Sequence, residues 1–182
     1  MKLALFSLIA ATVMTTQYTA IAPPSTPENR NVDSILSQSG QSNRDQRIKH
    51  FRLDKNRVAM DGYDPVSYFK STGPQKGNTT LAYDFDGVIY WFANAANLAE
   101  FKTNPAVFEP VWGGWCGHAM ALRGEKVEIN PVCYKIVNGR NVLFFKTFYA
   151  NALTNWEKEL KKTPEQTLMT KGDDFWGKLF SK

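Results

Sequence analysis

Cysteine and histidine are scarce, with two of each among 182 residues. Two cysteines allow a single bridge, Cys116 to Cys133, whose loop would add about 3 kcal/mol of stability. A strong excess of one charge is also missing. The formal charge is +5, and the basic stretch Arg44, Arg47, Lys49, His50, Arg52, Lys55, Arg57 is interrupted by Asp45 and Asp54 without interleaved stacking aromatics. That pattern excludes a nucleic-acid binder and reads instead as a solvated, positively charged approach to the core. The apolar run 3–14 falls short of the roughly 20 residues a membrane span needs, and no later segment is longer. No internal repeat or βαβ alternation is present, so the mixture of short strands and helices indicates an α+β fold. What the chain has in quantity is aromatic surface: 13% of residues are Phe, Trp or Tyr within a 43% hydrophobic total, enough for one compact aromatic core.

Residues 1–22 read as a secretory signal. Lys2 supplies the positive start, 3–14 the apolar stretch and Ala20-Ile21-Ala22 the small-x-small cleavage pattern. An exported protein, periplasmic or secreted, is therefore expected, and no cysteine closely follows the apolar run to carry a lipid. Residues 23–50 are rich in Pro, Ser, Asn, Gln and charge and cannot bury enough surface to offset the entropy of ordering, so they are expected to form a flexible leader, with a short helix after Asn31 on Val32, Ile35 and Leu36 as the alternative. The folded domain is expected over 51–148.

Within it, Asp64-Pro65 has the form of a helix start. Segments 81–85 and 88–92 flank Asp86-Gly87 as a β-hairpin. Asn94 caps a helix over 95–103, and Asn104-Pro105 opens a further turn through Phe108. A strand is expected over 125–129, then a turn at Asn130-Pro131, then a second hairpin in which 134–137 pairs with 142–145 across Asn138-Gly139-Arg140-Asn141. The tail 149–182 is expected to be helical: Leu153, Trp156 and Leu160 share a stripe, and Thr163-Pro164-Glu165-Gln166 has the form of a capping box.

Four pieces in order carry a family resemblance. They are Gly62-Tyr63-Asp64-Pro65-Val66-Ser67-Tyr68-Phe69, Tyr90-Trp91-Phe92-Ala93-Asn94-Ala95-Ala96-Asn97, Phe101-Lys102-Thr103-Asn104-Pro105 and Gly113-Gly114-Trp115-Cys116-Gly117-His118-Ala119-Met120. Their spacing over 51–146 resembles that of exported, stand-alone YHS-domain proteins, and the Trp-bearing tail is similar too. The resemblance implies a metal-binding module, with copper the first ligand. The chain departs from the family at Trp115 and His118, where relatives carry Tyr, and at Cys133, where the family pattern is a variable small residue.

Read on their own, Cys116, His118 and Met120 bring a thiol, an imidazole and a thioether into five residues, a donor set soft enough for copper or zinc. On a strand all three would share a face; on a helix Cys116 and Met120 align and His118 turns away, and Gly113-Gly114 before Cys116 with small residues after it point to a loop entering a helix, which favours a Cys116 and Met120 pair. Three states of Cys116 stay open: a buried inert thiol, a disulfide to Cys133, or a metal or redox site. Tyr63, Tyr68, Gly113, Gly114 and Trp115 are candidates to line a small-ligand pocket. No Ser or carboxylate stands at a recognisable catalytic spacing from His118, and Asp61, Asp64 and Asp86, each before Gly or Pro, read as turn and cap residues. The expected function is a binding module rather than an enzyme, holding a soft metal through Cys116. Beside it stand an envelope structural or interaction protein with a Cys116–Cys133 bridge, and a thiol-dependent enzyme with a pocket near Gly113-Gly114.

Overall fold

The computed structural model describes residues 28–181; the expected signal segment 1–22 and the first part of the expected leader lie outside the described residues. Helix α1 (Glu28–His50) comes first. The rest of the leader is thus helical rather than flexible, and its local composition is overruled by tertiary contacts. Arg47 and His50, expected to be solvated, are both buried. The Arg47 guanidinium bonds to Glu109 and to the carbonyls of Phe85 and Asp86 and lies over the Phe51 and Phe85 rings. These charge-assisted bonds hold the end of α1 on the core.

Two separate antiparallel hairpins follow, β1 (Asn78–Phe85) with β2 (Val88–Phe92), and β3 (Asn130–Val137) with β4 (Arg140–Phe144). Each turns through two residues of positive φ, Asp86 and Gly87 in the first, Asn138 and Gly139 in the second. That geometry suits the right-handed twist of paired strands and selects Asp-Gly and Asn-Gly. The second turn is two residues long, not four, because Asn141 pairs with Ile136 and Arg140 with Val137. Residues 125–129 form no strand. Asn130 and Pro131 lie inside β3, where the register slips between Asn130 and Tyr134, and such an irregularity accommodates a proline.

Between the hairpins lie α2 (Ala95–Thr103), α3 (Pro105–Phe108) and α4 (Gly117–Arg123). Asn94 caps α2 by accepting the Asn97 N–H, as its side chain and position predict. The tail forms α5 (Ala152–Glu159) and α6 (Glu165–Phe180). No capping box forms at α6: Pro164 occupies the cap position, and Glu165 instead accepts the Trp156 indole N–H and pairs with Lys135. The whole is α+β, as expected.

Phe101 centres the first half of the core, its ring packed near Tyr90, Phe92, Phe85 and Phe108. Trp156 and Phe144 serve the second half. Tyr68 joins the halves, its hydroxyl donating to the Pro131 carbonyl and its ring meeting Tyr134 edge-on.

Candidate functional site

The segment bearing the two glycines and Cys116 follows a turn over Val111–Gly114 in which Trp112, Gly113 and Gly114 all have positive φ. Left-handed backbone is open to glycine and costly for tryptophan. Trp112 is held there by its indole N–H, which donates to Asp173 on α6. Gly113 leaves no opening for a ligand: a Cβ on it would meet Trp176 and Phe51 at 2.7 and 2.9 Å.

Cys116 ends this turn and stands at the cap of α4. It is 1% exposed, and its sulfur accepts the Phe145 N–H at 3.3 Å. Met120, one helical turn on, lies on the same side of α4 and is fully buried. His118 projects elsewhere. Burial and Arg123 hold its imidazole below the ordinary histidine value, with Glu159 opposing them, so its electrostatic neighbours are charges on α4 and α5. The structure therefore gives the helical version of the expected donor set, Cys116 with Met120 and without His118.

The sequence reading gave Cys133 no family role, yet it belongs in this neighbourhood. Both cysteines are free and buried, with no Cys116–Cys133 bridge in the structure. The Cys133 thiol donates to Asn151 Oδ1 at 3.6 Å, and Ala152 N–H is bonded to the Phe145 carbonyl, so the two sulfurs flank one stretch of chain. Burial pushes the Cys133 thiol up, Lys146 and the Leu153 N–H oppose this, and the electrostatic influence of nearby Cys116 adds to the rise. The alternation of β3 and the return of the chain after β4 create the proximity, neither of which spacing alone reveals.

The five expected pocket residues do not line one cavity among the described residues. Tyr68 is sealed by its bond to Pro131, and burial pushes its phenol far above the ordinary range. Tyr63 carries the Lys76 ammonium over its ring. Gly114 approaches Pro110. Only Trp115 borders a described cavity, a recess of about 160 Å³ beside Arg52, Asp61 and Glu128. Arg52 already binds both carboxylates there. A larger recess of about 380 Å³ lies between Val107, Glu109 and Arg140. Its charged groups are likewise engaged, Glu109 with Arg47 and the Tyr90 hydroxyl, Arg140 with Asp173.

A second cluster that the sequence reading missed surrounds His50. Lys126 Nζ lies 3.1 Å from His50 Nδ1 and over the Trp115 and Trp176 rings, while Trp115 donates its indole N–H to the His50 carbonyl. Burial first, then Lys126 and Lys49, depress the His50 imidazole. The i, i+3 spacing of Arg44, Arg47 and His50 is the signal that these residues share a helix face.

Compared with known protein families, with curated proteins and with solved structures, the chain gives no match.

Proposed function

We propose that the protein is an exported, YHS-type binding module, not an enzyme, and that its ligand is a soft metal ion, copper first. The observation that carries this reading is the buried sulfur group: two free cysteines, Cys116 and Cys133, on either side of the Phe145–Ala152 contact, with the Met120 thioether one turn from Cys116. Thiolate and thioether are the donors that monovalent copper prefers, and a dry setting suits a low-charge ion. In this reading Cys116 and Cys133 would hold the ion, Met120 would offer a neighbouring thioether, and His118 would be no ligand.

A competition titration of the reduced protein with Cu(I) and a colorimetric chelator tests it. Replacing Cys116 or Cys133 by Ala should weaken affinity by about a hundredfold or more, beyond what outer-shell changes cost. Equal affinity for wild type and both variants would remove the metal. It would favour the second reading, an envelope interaction protein, which rests on the near-complete burial of both thiols and the amide bond that holds Cys116.

A further inference from the structure

The chain between β4 and α5 returns through a tight turn. Lys146 and Asn151 form an antiparallel bridge across its base, the Thr147 N–H donates to the Ala150 carbonyl at 2.8 Å, and the Ala150 N–H donates to the Thr147 hydroxyl. At its apex stand Phe148 and Tyr149, 94% and 93% exposed, their rings 5.0 Å apart and nearly perpendicular. The turn is tied at both ends, so these rings are displayed by an ordered backbone rather than by a loose loop.

We propose that this turn is a wedge that docks the protein on an anionic phospholipid surface. Two aromatic side chains standing clear of the protein offer no surrounding apolar patch of the kind a protein interface centres on. They do have the shape and chemistry that settle at the boundary between headgroups and acyl chains, where tyrosine keeps its hydroxyl in the polar layer. Charge complementarity selects the anionic surface. From Ile129 to Trp156 the sequence holds no Asp or Glu; Lys135 and Arg140 within it are paired with Glu157, Glu165 and Asp173, and Lys146, two residues before Phe148, is the exposed cation there with no ion pair among the described residues. A lysine so placed can lay its apolar stem along the interface while its ammonium meets a phosphate.

The test needs a reporter at the wedge itself, because the apolar residues 3–14 give the full chain a second way to reach lipid. An environment-sensitive fluorophore on Ala150→Cys supplies one, since Ala150 is exposed and both native cysteines are buried. With vesicles of phosphatidylcholine and phosphatidylglycerol the emission should shift to the blue, and with phosphatidylcholine alone much less. Adding Phe148→Ser and Tyr149→Ser should lower vesicle partitioning read at the fluorophore by about tenfold or more, as the burial of one phenyl ring alone predicts. Both side chains lie in solvent, so the melting temperature should stay unchanged. An emission indifferent to anionic vesicles, or a shift that survives the double substitution, would overturn the proposal. So would a concentration-dependent self-association in sedimentation that the double substitution abolishes, since a second copy would then cover the wedge.

Discussion

Asp64 shows how much one side chain of the family-like motifs contributes to the fold. It is fully buried. One carboxylate oxygen accepts the Val66 and Ser67 N–H groups, and the other accepts the Ala93 N–H at 2.8 Å and the Asn97 side-chain amide at 2.6 Å. The first motif is thereby bonded to the second, and the aspartate that opens a turn also fixes the entry to α2. Removing it leaves several buried donors without an acceptor, each costing about 1–3 kcal/mol. Asp64→Ala should therefore destabilise the protein by about 3 kcal/mol or more, with Asp64→Asn intermediate because one oxygen remains. Urea unfolding measures the difference; a loss below about 1 kcal/mol would mean that water replaces the carboxylate.

Helix α6 carries two glycines with opposite expectations. A Cβ on Gly172 would meet the Trp112 indole at 2.3 Å, whereas nothing lies within 4 Å of one on Gly177. Glycine in a helix interior costs about 1 kcal/mol relative to alanine, so Gly177→Ala should raise stability by about 0.5–1 kcal/mol. At Gly172 the same gain is outweighed by overpacking, which costs about 1–3 kcal/mol, and Gly172→Ala should be destabilising. Paired thermal melts decide it; a stabilised Gly172→Ala would show that Trp112 can move away from α6. Both hairpins and α2 were legible in the sequence because their signals are local: Asp-Gly, Asn-Gly and an Asn cap work within a few residues. Helix α1 was not, because Arg47 is held by Glu109, 62 residues away, and composition over 23–50 contains no trace of that partner. The capping box failed for the same reason, Glu165 being taken by Trp156 and Lys135. In the candidate site, Cys116 and the helical turn that separates it from His118 could be read from the Gly-Gly entry, while the approach of Cys133 depended on how β3 and the chain after β4 fold back.

Two hairpins that share no strand could in principle open independently, and whether they do depends on the ties between them. Those ties are numerous, and the ones made through Tyr68 and Trp112 are buried. Tyr68 reaches Pro131, Pro110 bridges Asn141, Arg52 joins Asp61 to Glu128, and α6 packs on α4 while its Asp173 holds both Trp112 and Arg140. Severing the halves would expose Tyr68 and Trp112 together with their polar partners, so local opening at this seam approaches the cost of global unfolding. The molecule should then unfold in one transition, as small domains with a single core do. Cysteine labelling reports the second half directly, because Cys116 and Cys133 are 1% and 4% exposed in the folded state. In increasing urea, two thiols should become reactive at the same midpoint at which tryptophan fluorescence and helical circular dichroism are lost. Labelling complete at a lower midpoint would mean that the β3–β4 half opens first, and the seam at Tyr68 and Trp112 would then not be what makes the core one unit.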